Sequence, residues 1–300
     1  MHLVSVELTT TELLADLTPT PFPHDVRIFF PTVGQRGAEL WTTSALLSSS
    51  SQHLKRILES DLSDNVATGT KRQRQSSQRR QADAAPDKEF ADSDDETDEA
   101  LVAAAELLLF DPVGEPDVSY RQITVKNAAY TTYRAVLRYF ETGYIRFAPL
   151  SSSCRPAIAN ATQTRAECIV GMRQAEPALP IPVSSKSTYR LAQVLECKPL
   201  QQVCLVALIE QLRPYNAAAE LFGDMSLTWP GWRKLVIIYV VKHWEAVLET
   251  ATWKEAQAKI SRDEIPGVAP IVLELMDARL AASTSGASSL CSSCPQRSRR

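Results

Sequence analysis

The chain has little glycine, little net charge and no long apolar run. Only 10 of its 300 residues are glycine, against 18 prolines. That balance suits helices joined by stiff, proline-marked loops. A formal net charge of -3 argues against a general nucleic-acid or membrane-surface protein. No apolar stretch approaches the ~20 residues that a membrane helix needs. The N-terminus, MHLVSVELTTTELL, lacks a basic region ahead of its apolar residues and is not expected to act as a signal peptide. The six cysteines are scattered, which argues for reduced thiols rather than a disulfide framework. Cys291 and Cys294 have the spacing of half a zinc site, but no second pair or nearby histidine completes it. His53 and His243 have no carboxylate or cysteine at metal spacing, and the serine run 48–51 lacks a hydrolase glycine elbow. No catalytic residue, cofactor or metal is therefore expected, and the protein does not read as an enzyme.

What is present is a 44% hydrophobic share, enough for a real core, and one compact unit at 123–147. Ile123, Thr124 and Val125 read as a strand. Asn127 is a helix cap by type. Tyr130, Tyr133, Val136, Leu137 and Phe140 recur at the spacing of one helical face. Gly143 is expected to end that helix in a left-handed cap, and a second strand follows at 144–147.

Upstream, Thr9 to Glu12 match a capping box ahead of Leu13, Leu14 and Leu17, which predicts a short N-terminal helix and arm over 1–19. A hairpin is expected from 25–30 and 38–42, then a helix pair at 44–50 and 52–60. The composition then breaks. Residues 71–80 are basic, and 87–99 hold eight carboxylates against one lysine. The segment 62–99 is expected to be a disordered insertion. A Pro- and Ser-rich linker is expected over 150–184, an all-α extension over 185–281, and a disordered Ser-rich tail over 282–300.

This order of elements resembles the BTB/POZ fold. DVRIFF at 25–30 looks like the first strand of that family. LSSSSQHLKRIL at 47–58 resembles its L-x-x-x-S-x-x-F-x-x-x-L helix pair. YRAVLRYFETGYI at 133–145 is similar to its F-x-x-L-L-x-F-x-Y-T-G-x-I segment, and 189–212 resembles its later helix pair. The stretch 216–244 looks like the helical extension of fungal members. Thr43 stands where the family often has a histidine, and the insertion is longer than the usual connection. The resemblance implies an α+β fold, a BTB/POZ core over 20–150 followed by an all-α extension. It places Asp25, Val26, Leu54, Tyr133, Leu137, Phe140 and Gly143 in the fold core.

The function it implies is a non-enzymatic protein–protein interaction module that forms a homodimer. Leu13, Leu14, Leu17, Leu46 and Leu47 are the candidate dimer surface. One extension of that reading is a substrate adaptor for a cullin-type ubiquitin ligase scaffold. The alternative is a nuclear transcriptional or chromatin scaffold, with Lys71, Arg72, Arg74, Arg79 and Arg80 as a candidate import signal. Ser93, followed by Asp94, Asp95 and Glu96, resembles a site for an acid-directed kinase. Direct nucleic-acid binding is not expected, a membrane is not an expected partner, and the expected location is intracellular, cytoplasmic or nuclear.

Overall fold

The computed structural model describes residues 24–33, 37–59, 66–69, 92–103, 120–154 and 164–288. They form two compact units. The first lies within Met1–Leu150 and Gln163–Cys204, the second within Ser151–Thr162 and Leu205–Arg300. The architecture is mixed α+β and mostly helical.

The first unit is built on a sheet. Strands β1 (Val26–Phe30) and β2 (Ala38–Thr42) pair antiparallel, with Val26 opposite Thr42 and Phe30 opposite Ala38. Strand β3 (Val66–Gly69) pairs antiparallel with β4 (Tyr120–Thr124), which runs parallel to β1. The order is β2-β1-β4-β3. Side chains alternate across a strand, so Val26, Ile28 and Phe30 are buried while Arg27 and Phe29 lie toward the other face. There Arg27 pairs with Glu39 and donates to Gln122 Oε1 at 3.2 Å. Gly37 closes the β1–β2 turn at φ +74°, where a Cβ would meet the Phe29 ring at 2.7 Å.

Helices α1 (Ser44–Ser50) and α2 (Gln52–Glu59) form the expected pair. Ser51 joins them. Its Oγ accepts from Leu54 N at 3.1 Å and donates to Leu195 O at 2.6 Å, which ties this hairpin to a later one. Helix α3 (Asp95–Ala103) precedes β4, and α4 (Tyr130–Thr142) follows it. Tyr130 and Tyr133 set their rings edge-on to Phe30 at 5.5 and 5.6 Å, joining α4 to the sheet. Gly143 ends α4 at φ 71°, and its N–H donates to Tyr139 O. The strand expected at 144–147 is a single parallel bridge, Phe147 to Val183. Pro182, beside Val183, has no N–H with which to lengthen a ladder.

The expected linker 150–184 holds two helices, α5 (Ser151–Cys154) and α6 (Arg165–Ala175). A reciprocal capping box starts α6: Thr164 Oγ1 accepts from Glu167 N, and Glu167 Oε2 accepts from Thr164 N. Helix α6 belongs with α7 (Ser185–Val194) to the first unit, so the expected boundary between core and extension is not where the units divide. The division falls within α8 (Lys198–Gln211).

The second unit is all-α. It contains α9 (Pro214–Leu221), α10 (Asp224–Thr228), α11 (Pro230–Lys242), α12 (Trp244–Leu248), α13 (Ala251–Ser261) and α14 (Ala269–Ser288). Its core is Leu212, Leu221, Trp232, Val236, Val240, Val247 and Ile271, each at most 1% exposed. Helix α5 is fixed to α9 through Ser152 Oγ, which donates to Glu220 Oε1 at 2.6 Å. Helix α14 runs past the expected end at 281, to Ser288. Among the described residues, no helix is long and apolar enough to cross a membrane.

Candidate functional site: an acidic strap in a cationic slot

The densest polar feature of the first unit lies where the sequence predicts disorder. Residues 92–103 carry six carboxylates and no basic side chain. They form a short strap that ends in α3. The strap sinks three of those carboxylates into the core: Asp92, Asp94 and Asp98 are 6%, 0% and 4% exposed.

Each carboxylate meets different partners. Asp94 is the most enclosed. It accepts from Arg165 Nη2 at 3.0 Å, from Thr132 Oγ1 at 2.7 Å, and from Ser184 N at 2.9 Å to both oxygens. Its own N–H donates to Ser187 Oγ at 3.3 Å. Its carbonyl starts α3 by accepting from Thr97 N and Asp98 N, both at 3.0 Å. Asp92 lies 2.7 Å from Lys186 Nζ and 3.9 Å from Arg165 Nε. It adopts φ 72°, a left-handed conformation that aspartate tolerates better than most residues. Asp98 accepts from Tyr130 N at 2.6 Å and Thr131 N at 3.0 Å, so it caps α4 from another part of the chain.

The slot is thus made of two cations and two helix N-termini. Ser184 starts α7: its Oγ accepts from Lys186 N and Ser187 N, leaving its own N–H for Asp94. The first-turn N–H groups and the helix dipole favour negative charge at both termini. Arg165 also donates from Nε to Pro149 O at 3.3 Å, which holds its guanidinium in place. Burial opposes all of this. It pushes the Asp98 carboxyl up to about 6, against the pull of the Tyr130 and Thr131 donors. It pushes Asp94 upward too, against Arg165, Thr132 and Ser184. What the arrangement can do is hold an anionic segment.

This overturns two expectations. The insertion is not disordered through 99, because residues 92–99 have buried cationic partners that local sequence does not reveal. Ser93 is not on an open acidic strip. It is 7% exposed, and its Oγ donates to Asp95 Oδ2 at 2.5 Å, so a kinase could not reach it while the strap is seated.

The other predicted residues divide as follows. Val26, Leu54, Tyr133 and Leu137 are core residues as expected, at 0%, 1%, 4% and 4% exposure. Phe140 is half-buried. Asp25 is exposed rather than core: its carboxylate accepts from Ser44 N at 2.7 Å and Ser44 Oγ at 2.6 Å, which caps α1. Thr43 Oγ1 adds a bond from Leu46 N at 3.2 Å. Leu47 is fully buried in its own chain and is therefore not free for a dimer surface. Leu46 is half-buried on the same helix. Leu13, Leu14 and Leu17 lie outside the described residues, as do Lys71, Arg72, Arg74, Arg79 and Arg80, Cys291 and Cys294. Among the described residues, no group of His, Cys, Asp and Glu is placed to hold a metal ion.

Sequence reasoning missed Asp92, Asp94, Asp98, Arg165 and Lys186. The usable signals were the Thr164–Glu167 capping box before Arg165, and the acidic block itself, which is an ordinary partner for two buried cations. The sequence matches no family model and no curated protein.

Proposed function

We propose that this protein is a non-enzymatic protein–protein interaction module that homodimerises through a BTB/POZ-type domain. The observation that supports the reading is the order of elements in the first unit. An antiparallel β1–β2 hairpin is followed by the α1–α2 pair. Strand β4 then returns parallel to β1 and leads into α4 with its left-handed glycine cap. This is the order in which the BTB/POZ-like motifs run along the sequence.

With Leu47 committed to its own core, the dimer surface narrows to Leu46 on α1 and the leucines at 13, 14 and 17. Burying each such leucine is worth about 1.5–3 kcal/mol, which favours a partner surface. Size-exclusion chromatography with light scattering is expected to give twice the chain mass. Leu46→Asp is expected to shift it toward the single-chain mass without loss of helicity. A wild-type monomer at micromolar concentration overturns the proposal.

A further inference from the structure

We infer that the slot formed by Arg165, Lys186 and the N-termini of α4 and α7 is a receptor for acidic peptide segments, and that residues 92–103 are its internal occupant. The inference goes beyond the dimer reading and does not depend on it.

Charge complementarity carries the argument first. The strap presents carboxylates at Asp92, Asp94 and Asp98, positions i, i+2 and i+6. The first meets Lys186, the second Arg165 and the start of α7, the third the start of α4. A single small anion cannot satisfy both helix N-termini and both cations, but an acidic peptide with that spacing can. The same first turns of α7 bury the hydroxyls of Ser185 and Thr188, at 1% and 0% exposure, without hydrogen-bond partners among the described residues.

The strap is also weakly anchored by apolar contact. Of its apolar side chains only Leu101 is buried, at 5% exposure. Its attachment rests on ion pairs at Asp92 and Asp94 and on hydrogen bonds to Asp94 and Asp98, whose attraction is offset in part by the cost of desolvating the charges. Asp92 adds a left-handed backbone conformation. A segment held this way exchanges for another of the same charge pattern more readily than one held by a buried apolar face. Its advantage is that it is tethered to the core, and a tether raises the effective local concentration without adding a contact. An acidic partner therefore gains access when the strap is lifted, so the strap acts as an autoinhibitory ligand of the slot.

The test uses the full chain and a synthetic peptide of residues 92–103, DSDDETDEALVA. The variant Asp92→Ala/Asp94→Ala/Asp98→Ala removes the internal ligand. It is expected to bind the peptide saturably, about 100-fold more tightly than the wild type, whose tethered strap competes. A peptide with the three matching aspartates changed to asparagine is expected not to bind. If the variant is unfolded alone, adding the acidic peptide is expected to restore its melting transition. The inference is overturned if the folded variant ignores the acidic peptide or binds both peptides equally. It is equally overturned if an unfolded variant regains no transition. The dimer mass does not enter these readings, so either proposal can fail alone.

Discussion

The first unit buries carboxylates together with cations, where the second buries apolar bulk, a few neutral polar side chains and one carboxylate. Around Asp94 the first unit buries three carboxylates and two cations, with donors drawn from α4, α6 and α7. The second fills its centre with Trp232, Val236, Val240 and Ile271, and its buried Glu220 is answered by a serine hydroxyl. The two kinds of core fail differently. An apolar core loses stability roughly in proportion to the volume removed. A charged core is tolerant while complete and intolerant of losing one member, because the partner left behind is a buried, unpaired ion.

The sharpest way to break this comparison is Arg165→Ala. It leaves Asp94 and Asp92 without their shared guanidinium, and a cost of about 3–5 kcal/mol is expected. Adding Asp94→Asn should recover part of that loss, since the stranded charge is then gone. Urea unfolding of the single and double variants measures both. If the double variant is less stable than the sum of its parts, the cluster is not held by charge.

The matching change in the second unit is Ile271→Ala, at a fully buried position on α14. It is expected to cost about 2–4 kcal/mol. No second substitution that removes a charge should rescue it, and the cost should be the same in low and high salt. Thermal unfolding followed by tryptophan fluorescence reports it, since Trp229, Trp232, Trp244 and Trp253 all lie in this unit. A strong salt dependence here would erase the distinction between the units.

The same contrast explains what was legible in the sequence. Strand β1, the apolar face of α4 and the Gly143 cap are written in residues a few places apart, so a local pattern suffices. So are the helices of the second unit. The strap is not local. Asp94 finds Thr132, Arg165 and Ser184 at separations of 38, 71 and 90 residues. A run of carboxylates read alone signals repulsion and solvation, and only the fold supplies the cations that reverse this. Asn127 shows the same limit on a small scale. It has the residue type of a cap, yet the cap at the start of α4 comes from the Asp98 carboxylate. The candidate site was therefore hidden for the reason that makes it a site: its partners are distant in sequence.

A pH titration sharpens the comparison at lower cost to the protein. Burial pushes the Asp98 carboxyl up to about 6, from 3.8 in an exposed chain. The folded state then holds this proton more tightly than the unfolded state. Between pH 4 and 6 the folded protein binds more protons, so the Asp98 contribution to stability is greatest near pH 4 and is lost as pH rises through 6. The shift corresponds to about 2–3 kcal/mol. Asp98→Asn keeps an acceptor for Tyr130 or Thr131 but cannot titrate. The stability of wild type minus variant is expected to rise on going from pH 7 to pH 4, as measured by urea unfolding. A difference that falls instead means that the two N–H donors at the start of α4 outweigh burial.

The smallest effect isolates backbone from both kinds of core. Gly143 ends α4 at φ +71°, and nothing lies within 4 Å of the place a Cβ would occupy. Adding a side chain there creates no clash and removes no contact, so its whole cost is conformational. Gly143→Ala is expected to lose about 1 kcal/mol, and Gly143→Val more, because a β-branched side chain is least tolerant of the left-handed region. Gly143→Asn should cost less than either, since asparagine visits that region more readily. None of the three should respond to salt or to pH between 4 and 7, which separates them from the Asp98 and Arg165 variants in the same unit. Equal melting temperatures for wild type and the valine variant would show that α4 does not end at Gly143 in solution. A loss that varied with salt would tie the cap to the charged cluster, and the division between local backbone signals and distant charge partners would no longer hold.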